Sequence, residues 1–453
     1  MREMKDSGIE TIGLIPKEWK KIKLKFIADF SKGLSITKAD LQPEGQAVVS
    51  YGQVHSKANT GTKLIDDLIR YVAPEYKELN KSAIAPRNSF IFADTSEDYA
   101  GIGNCVFVDS ELSVMGGYHT VVAKNVKIDM PKYLAYLFLT DEWRKQLREN
   151  SFGIKVFSVT QKILKNSFIL FPPISEQEKI AAYLDAKCEK INDVAKKINA
   201  QIDTLESYKK SIITEAVTKG LNHDAPMKNS GIEWIEKIPK EWKIIKIKFI
   251  ADFSKGLSIT KADLQSEGQA VVSYGQVHSK LNVGTKLSNE LIRYVDPEYK
   301  RFNKSAVAPQ NSFIFADTSE DYAGIGNCAF VDGGLSVMGG YHTIIVKNVH
   351  IDMPKYLAYL FLTDKWRRQL RENSFGIKVF SVTQKNLKES FIIIPPISEQ
   401  KKIVSYLDAK CEKIDSVIEK KRRQLAVLDA YRRSLIYEYV TGKKEVPDDD
   451  ESV

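Results

Sequence analysis

Cations, hydroxyls and aromatic residues that suit contact with DNA recur in short stretches of the first 155 residues. Lys32-Gly-Leu-Ser-Ile-Thr-Lys38 mixes cations and hydroxyls around a glycine. Tyr51-Gly-Gln-Val-His-Ser-Lys57 alternates in a way that predicts a strand with its polar residues on one face. Gln, Ser, Lys and His can reach base edges or phosphates; the alternative is a polar strand face in water. The candidates are Lys32, Ser35, Thr37, Lys38, Tyr51, Gln53, His55, Lys57, Arg87, Tyr118, His119 and Lys155.

No motif for catalysis or metal binding accompanies these candidates. The acidic group Asp94-Thr-Ser-Glu-Asp98 has no acid-x-Lys nearby, which favours a solvated loop over a nuclease metal site. Gly101-Ile-Gly103 has no third glycine after it, which favours a turn over a cofactor loop. His55 and His119 have no adjacent Ser or Cys to act as a nucleophile. Pro172-Pro173 lacks the preceding polar residue of an adenine methyltransferase motif, so we expect a helix start there.

The elements that position these candidates occur twice, because the chain repeats itself at an offset of 223 residues. Phe26–Leu41 recurs letter for letter at Phe249–Leu264, and 140 of the 169 pairs from Pro16/Pro239 to Leu184/Leu407 are identical. Each copy is long enough to bury its own core, so we expect two equivalent domains for two equivalent targets. The second set of candidates is Lys255, Ser258, Thr260, Lys261, Tyr274, Gln276, His278, Lys280, Gln310, Tyr341, His342 and Lys378.

Composition favours a cytoplasmic protein with a polyanionic partner. The net charge of the 453 residues is +9, and a basic surface attracts phosphates. The four cysteines form no C-x-x-C pair, which fits a reducing compartment better than a disulfide or zinc framework. The N-terminus lacks the apolar core of a signal peptide, and no apolar run approaches the 18 or so residues of a membrane span.

Each copy is expected to hold an α+β domain followed by a long helix. Ser89–Ala93 is typical of the short β-branched and aromatic runs that form strands, whereas Pro131–Leu147 has the apolar spacing of a helix or helix pair. The sequence predicts a mixed domain, a long helix, a linker with the second mixed domain, a second long helix and an acidic disordered tail. Their ranges are 1–171, 172–220, 221–394, 395–443 and 444–453.

The long helices carry heptad patterns. Ser175 is the predicted N-cap of the first helix, Glu178 completes a capping box, and Gly220 is the predicted stop. One seven-residue series is Leu184, Ile191, Ile198, Leu205 and Ile212. The interleaved series is Ile180, Lys187, Val194, Gln201 and Tyr208, and the second helix repeats both from Leu407 and Ile403. We expect the two helices to pack on each other; the alternative is packing of each on its own domain.

Two motifs recur at the domain and helix starts. Ile15-Pro-Lys-Glu-Trp19 is repeated at Ile238–Trp242, and Pro172-Pro-Ile-Ser-Glu-Gln-x-x-Ile180 is repeated at Pro395–Ile403. With these motifs the chain resembles the specificity (S) subunit of Type I restriction-modification systems, in which the first motif opens each target-recognition domain and the second opens each long helix. The resemblance covers nearly the whole chain, in the family's order.

The resemblance implies a non-catalytic subunit of the prokaryotic cytoplasm that directs adenine methylation and restriction. Each recognition domain would read one half of a bipartite double-stranded DNA target. The helices would pack antiparallel as a spacer and relate the copies by a pseudo-two-fold axis. Two methyltransferase (M) subunits and restriction (R) subunits would join it and bind S-adenosylmethionine, ATP and Mg²⁺, with no cofactor or metal on this chain. We assign the partner contact to the helix starts, at Glu176, Gln177, Glu399 and Gln400.

The chain departs from the family in the similarity of its two domains, which are usually dissimilar. Near-copies predict a near-palindromic target with a gap. The exchange of Arg87 for Gln310 could make the half-sites differ by one base, because Arg favours guanine and Gln favours adenine. Two other classes stay open. A self-contained DNA methyltransferase or nuclease would be active without partners, and a structural adaptor without a DNA role would lack salt-dependent DNA binding.

Overall fold

The computed structural model describes residues 2–376 and 378–447, and it divides into two units. Unit 1 joins residues 2–198 to residues 422–447, and unit 2 comprises residues 199–421. Both divisions fall inside the long helices. Each unit therefore holds one mixed domain, the first part of the helix that follows it and the last part of the other long helix. Of the predicted acidic tail, 448–453 lie outside the described residues, whereas Val446 packs against the core of unit 1.

Unit 1 is built mainly from short strands. They are β1 (Met4–Asp6), β2 (Leu14–Pro16), β3 (Lys20–Lys23), β4 (Asp29–Lys32), β5 (Gln46–Val49), β6 (Arg70–Val72), β7 (Ile84–Ala85), β8 (Ser89–Ala93), β9 (Thr95–Ser96), β10 (Cys105–Val108), β11 (Val114–Gly116), β12 (Thr120–Lys124), β13 (Phe157–Ser158) and β14 (Phe168–Phe171). The helices are α1 (Tyr51–Val54), α2 (Glu75–Leu79), α3 (Pro131–Leu137), α4 (Asp141–Arg148), α5 (Gln161–Asn166) and the first part of α6 (Ile174–Lys219).

Two four-stranded sheets form the centre of unit 1. One has the order β10-β8-β12-β4 and is antiparallel throughout. The other has the order β6-β5-β11-β7, in which β5 and β11 are parallel. Because the sheets end close together, the turns that follow β5, β8 and β11 can present side chains to one site.

The first sheet is buried on both faces, which explains why β8 is a continuous apolar run. Phe90 and Phe92 face α3 and the following residue Phe138, with ring centroids 5.0 and 5.3 Å apart. Ile91, between them, belongs to a separate core cluster with Val49 of the second sheet. Side chains alternate between the faces of a strand, so a strand between two cores has no polar face. Each buried Phe contributes roughly 1.5–3 kcal/mol relative to exposure.

Unit 2 repeats this architecture. Its strands are β15 (Met227–Ile232), β16 (Ile235–Pro239), β17 (Lys243–Lys246), β18 (Asp252–Lys255), β19 (Gln269–Val272), β20 (Arg293–Val295), β21 (Val307–Ala308), β22 (Phe313–Ala316), β23 (Thr318–Ser319), β24 (Cys328–Phe330), β25 (Val337–Gly339), β26 (Thr343–Lys347), β27 (Phe380–Ser381) and β28 (Phe391–Ile394). Its helices are α7 (Tyr274–Val277), α8 (Glu298–Phe302), α9 (Pro354–Leu362), α10 (Asp364–Glu372), α11 (Gln384–Glu389) and the first part of α12 (Ile397–Val440). The sheets β18-β26-β22-β24 and β20-β19-β25-β21 match those of unit 1, which confirms the predicted α+β duplication.

Within each unit the two long helices pack antiparallel, as expected. In unit 2, Lys209 Nζ lies 2.7 Å from Asp415 Oδ1 and Lys421 Nζ lies 2.6 Å from Gln201 Oε1, so numbering rises in one helix as it falls in the other. In unit 1, Tyr183 stacks on Tyr439 with ring centroids 4.7 Å apart.

The interleaved heptad series is wrong by one position. Leu184, Ile191 and Ile212 of the first series are buried, but Val194 and Tyr208 of the second are 43% and 50% exposed. The second series of seam positions instead lies four residues after each member of the first series. In α6 it runs through Cys188, Ala195, Ile202, Lys209 and Ala216, and in α12 through Val404, Cys411, Ile418, Leu425, Arg432 and Tyr439, all buried or partly buried.

The helix starts also differ from expectation. α6 begins at Ile174, and the backbone N–H groups of Glu176 and Gln177 both donate to Pro173 O at 3.0 Å. Ser175 therefore lies inside the first turn, and the predicted capping box with Glu178 is wrong. A proline has no N–H to satisfy and a φ already near the helical value, so the Pro-Pro pair starts the helix without a side-chain cap. The predicted stop is confirmed, since α6 ends at Lys219 and Gly220 adopts a φ of +82°.

Candidate nucleic-acid interface

An aromatic cluster forms where the turns after β5, β8 and β11 meet. Tyr51 opens α1 and its backbone N–H donates to Tyr118 O at 3.0 Å, which joins the two turns. The Tyr51 ring lies 6.2 Å from the Tyr118 ring and 5.9 Å from the His119 ring. His119 adopts a φ of +52° between β11 and β12, a strained conformation that the turn imposes. Tyr118 is among the exposed large side chains, so the cluster offers rings for contact.

Asp94 fixes the orientation of His119. Its Oδ1 lies 2.9 Å from His119 Nδ1, and the same pair in unit 2, Asp317 and His342, is 2.8 Å apart. An ionised carboxylate only accepts, so Nδ1 carries the hydrogen and Nε2 is left to contact a ligand. Among the described residues no nucleophile is bonded to either histidine, so the pair suits hydrogen bonding better than acyl transfer.

Lys32 and Lys162 lie beside this histidine. Together with Asp94, His119 and Phe152 they line an open cavity of about 500 Å³ whose remaining wall includes Thr95, Ser158, Thr160 and Gln161. Two ammonium groups, hydroxyls and an imidazole around a cleft suit a phosphate of a nucleic-acid backbone. Gly33, next to Lys32, has to be glycine because a Cβ would stand 2.2 Å from Gly117 O where the strands cross.

His55 faces inward, and the strand predicted for Tyr51–Lys57 is wrong. Ser50 and Gln53 form a capping box that starts the short helix α1, so the residues do not alternate across a strand. His55 Nε2 lies 2.8 Å from Thr95 O, and Nδ1 lies 3.1 Å from Asn104 Nδ2. His278 in unit 2 has the equivalent contacts at 2.7 and 3.1 Å. Both ring nitrogens are therefore occupied within the domain.

The other candidate residues either make contacts within their domain or are exposed on its surface. Gln53 Oε1 accepts from Ser50 N at 3.2 Å, and Thr37 caps a short 3-10 turn through Asp40. The copies Gln276 and Thr260 make the same contacts, and Tyr274, Tyr341 and His342 repeat the aromatic cluster of unit 1. Exposed side chains with DNA contact still a prediction are Lys32, Ser35, Lys38, Lys57, Lys155, Lys255, Ser258, Lys261, Lys280 and Lys378.

Arg87 lies away from this site. It precedes β8 and pairs with Glu111 at 2.5 Å, whereas Asp94 follows the other end of that strand. In unit 2 both partners of this ion pair are replaced, because Gln310 is equivalent to Arg87 and Gly334 is equivalent to Glu111. Loss of both partners of a surface ion pair accounts for the exchange without base recognition.

Lys155 lies in an apolar loop next to the cavity. Ile154 is 96% exposed, and Phe152 and Val156 on either side are also exposed. Gly153 adopts a φ of +128° that turns the loop, and a Cβ there would lie 1.9 Å from Val156 O. The loop therefore presents apolar side chains and one cation to whatever approaches the cavity.

Sequence reasoning missed Arg144 and its copy Arg367. Arg144 lines a second cavity, of about 560 Å³, together with Tyr51, His55, Glu97 and Asn104. Its Nε donates to Phe138 O at 2.9 Å, and burial lowers its pKa. Arg367 Nη1 donates to Asn327 Oδ1 at 2.6 Å, which extends the His278 network. The only sequence signal was an Arg immediately after a buried Trp, which many amphipathic helices share.

The acidic group and the glycine pair near this cavity form turns. Asp98 Oδ1 accepts from Gly101 N at 2.5 Å, and Gly103 adopts a φ of +86°, so the turn predicted at Gly101–Gly103 is confirmed. Within the described residues, no group of three His, Cys, Asp or Glu side chains could hold a metal ion. Within the same residues, no helix is long and apolar enough to span a bilayer.

The predicted partner-binding residues lie in the joint between each domain and its helix. Trp19, fully buried, donates through Nε1 to Glu176 Oε2 at 2.8 Å, and Arg2 donates to the same oxygen at 2.7 Å. Gln177 is buried and donates to Pro172 O at 2.8 Å. The two sequence motifs, 157 residues apart, are therefore bonded to each other.

Unit 2 has the same joint. Trp242 Nε1 donates to Glu399 Oε2 at 2.8 Å, and Gln400 donates to Pro395 O at 2.8 Å. Gly220, which ends α6, packs against Trp242 and Glu399. The joint thus also receives the end of the other long helix, and contact of these four residues with a partner protein stays a prediction.

Comparison with known proteins agrees with this architecture. Two stretches of the chain, residues 16–204 and 239–426, match the family model of the Type I restriction modification DNA specificity domain. The Type I restriction enzyme MjaVIII specificity subunit of Methanocaldococcus jannaschii is 24% identical over 69% of this chain and 70% of that protein. The putative MjaX specificity subunit of the same organism is 23% identical over 96% of both chains.

A solved structure shows the same fold. A chain from a study of complex assembly and conformational transition of the type I R-M system has a TM-score of 0.66, with 17% identity over 95% of this chain and 99% of that one. The two family-model matches cover most of the sequence and coincide with its two copies. The chain therefore belongs to the family of Type I restriction-modification DNA specificity subunits.

Proposed function

We propose that this DNA-recognition subunit reads a gapped, near-palindromic double-stranded target, with one half-site read by each unit. The observation that carries the proposal is the duplicated cluster, in which Tyr51, Tyr118 and His119 have the same neighbours as Tyr274, Tyr341 and His342. Two readers with the same side chains in the same geometry favour the same bases.

The geometry supports a division of tasks within each reader. Lys32 and Lys162 neutralise phosphates on one side of the cavity, and His119 Nε2 and the Tyr118 hydroxyl are free to meet base edges. Asp94, His55 and Gln53 hold these groups in place rather than contact DNA. Catalysis lies in partner subunits, as for the Type I specificity subunits that this chain is similar to, and the chain itself supplies DNA recognition.

We place the methyltransferase subunits at the helix starts, two per chain, with restriction subunits joining that complex in the prokaryotic cytoplasm. Ile174 and Ile397 are exposed apolar residues two positions before Glu176 and Glu399. Ile174→Glu with Ile397→Glu is expected to reduce co-purification of the methyltransferase subunits while leaving both joints intact. Unchanged co-purification would place the docking surface elsewhere. S-adenosylmethionine, ATP and Mg²⁺ are assigned to the partners.

The proposal is tested by binding and modification with purified components. The chain and its methyltransferase subunits are titrated with a library of duplexes that contain randomised half-sites and spacers. We expect affinity that falls steeply with salt, and adenine methylation only when both proteins are present. Methylation or cleavage by the chain alone would favour a self-contained enzyme, and binding without salt dependence would favour an adaptor.

A further inference from the structure

A lysine-rich surface next to the Lys32 cavity is present in unit 1. Lys21 and Lys23 of β3 lie over the Phe168 ring at 4.8 and 5.3 Å, and Lys25 follows in the 3-10 turn Leu24–Phe26. Lys162 and Lys165 project from α5, which packs against the turn that holds Lys25. We call Lys21, Lys23, Lys25, Lys162 and Lys165 the lysine face. In the described residues of unit 1, no carboxylate forms an ion pair with any of them.

The lysine face is continuous with the candidate site. Lys162 lines the same cavity as Lys32 and His119. Lys165, one turn further along α5, lies 5.7 Å from the ring of Phe30, which shares a face of β4 with Lys32. A duplex whose phosphate enters the cavity would therefore continue along these ammonium groups.

Unit 2 neutralises part of the same surface. The Glu389 carboxylate forms ion pairs with Lys246 Nζ at 2.6 Å and with Lys248 Nζ at 2.8 Å. Asn166 stands at the position of Glu389 in unit 1, and its amide donates to Lys162 O at 2.9 Å. Ile244 also replaces Lys21. Five lysines give the face a formal charge of +5 in unit 1, whereas four lysines and one glutamate give +3 in unit 2.

The ion pairs of Glu389 change the surface charge of unit 2 more than they change its stability. The three side chains are partly exposed, and surface ion pairs contribute little to folding. Hydrogen bonds from Lys246 and Lys248 lower the pKa of Glu389 to about 2, so the carboxylate remains charged in any ordinary binding buffer. A lysine paired with a carboxylate releases fewer counterions when a phosphate approaches.

We propose that unit 1 binds the phosphate backbone more strongly than unit 2. When the two half-sites have the same sequence, the chain therefore binds its first half-site through unit 1. This inference rests on the proposed function. Near-identical base contacts leave the two half-sites equivalent in sequence, and the lysine face then decides which unit binds first. Electrostatic attraction acts on encounter as well as on affinity, so the order of engagement follows the charge.

A reciprocal exchange tests the charge difference. Glu389→Asn installs the residue of unit 1 in unit 2, and Asn166→Glu does the reverse. Each additional lysine–phosphate pair steepens the loss of affinity between 50 and 200 mM salt by about 3.5-fold, so Glu389→Asn is expected to steepen it by about 3.5- to 12-fold for one to two such pairs. Asn166→Glu is expected to flatten it by a similar factor. Glu111→Gln, which removes the same charge beside Arg87, is the matched control and is expected to change nothing.

The order of engagement is tested on a short duplex that carries one intact half-site and ends before the position of the second, so that only one unit can contact DNA. Leu79 and Phe302 are equivalent positions, 81% and 73% exposed, and the four native cysteines are buried. Leu79→Cys or Phe302→Cys in complex with the methyltransferase subunits is labelled with a dye, and energy transfer to the DNA end beside the intact half-site is measured. We expect strong transfer from position 79 and weak transfer from position 302. We expect reversal when both differences are exchanged, by combining Asn166→Glu and Lys21→Ile with Glu389→Asn and Ile244→Lys.

The outcomes separate this inference from the proposed function. Equal transfer from both positions, or equal salt dependence of all variants on DNA that they bind, would overturn the inference and leave the function standing. Failure of every form to bind DNA would overturn the function itself. A change in methyltransferase co-purification without a change in DNA binding would assign the lysine face to a protein partner and also overturn the inference.

Discussion

The hydrogen bond between Trp19 and Glu176 should help to fix the first domain on its helix, beside the ion pair that Arg2 forms with the same carboxylate. Trp19→Phe removes the indole donor 2.8 Å from Glu176 Oε2 and part of a fully buried ring. Trp143→Phe removes the same atoms from another fully buried ring whose Nε1 has no partner within the described residues. The difference between the two variants therefore compares the loss of a bonded indole donor with the loss of an unbonded one, and it includes the contact of Arg2 with the Trp19 ring at 5.6 Å. A bond to a charged group contributes about 1.5–3 kcal/mol, so Trp19→Phe should destabilise unit 1 by that much more than Trp143→Phe.

Unit 2 gives a second comparison. Glu176 keeps Arg2 after Trp19→Phe, but Ala225 occupies the position of Arg2 in unit 2. Trp242→Phe leaves Glu399 half-buried without a donor among the residues that the structure describes, so it should cost more than Trp19→Phe. Native-state hydrogen exchange is the suitable assay, because a chain with two units does not unfold as one two-state system. Equal exchange in the Trp19→Phe and Trp143→Phe variants would refute the reasoning.

Three further perturbations concern the DNA-binding surface and the core. Replacement of Lys32 and Lys255 by Ala should flatten the slope of log affinity against log salt by about 1.8 in anisotropy titrations. Arg87→Ala should leave this slope unchanged. The reverse result would show that the DNA-binding site lies near Arg87 and not at the cavity. Ile154→Ser should weaken DNA binding without changing that slope, because an apolar contact releases no counterions, and an altered slope would contradict this. The Cys105 thiol, whose pKa burial raises to about 12, should remain unmodified by iodoacetamide at pH 8 while the protein is folded, as read by mass spectrometry.

The repeat and the element types could be predicted from the sequence because they depend on local patterns. Ser89–Ala93 is apolar throughout since it lies between two cores, and Gly220 ends α6 because the last turn needs a positive φ. The short helix at Tyr51 was missed because its residues alternate like a strand, although Ser50 and Gln53 carry the local capping-box pattern that starts a helix. Its contact with Tyr118, 67 residues away in the chain, could not be predicted from local pattern.

The heptad error has a different origin. The series through Leu184 is shared by two possible seams, one three residues and one four residues further on. The true seam is the more apolar of the two, since it contains Cys188 and Ile202 where the predicted seam has Lys187 and Gln201. Local hydrophobicity therefore separates the two seams, and the error does not come from a missing tertiary contact.

The base-reading site was only partly predictable, because its geometry depends on contacts between distant turns. The residue types were informative, but the roles of His55 and His119 are set by which ring nitrogens are already bonded. Arg144 gave only the weak signal of an Arg after a Trp, since its place beside the His55 network appears only after α4 packs on the sheet.

The proposed function depends above all on both units reading the same sequence. The direct measurement is a map of N6-methyladenine in a host genome that expresses this chain together with its methyltransferase subunits and has no other system. We predict one gapped target whose half-sites are inverted copies of each other. Two half-sites of unrelated sequence would contradict the proposed function.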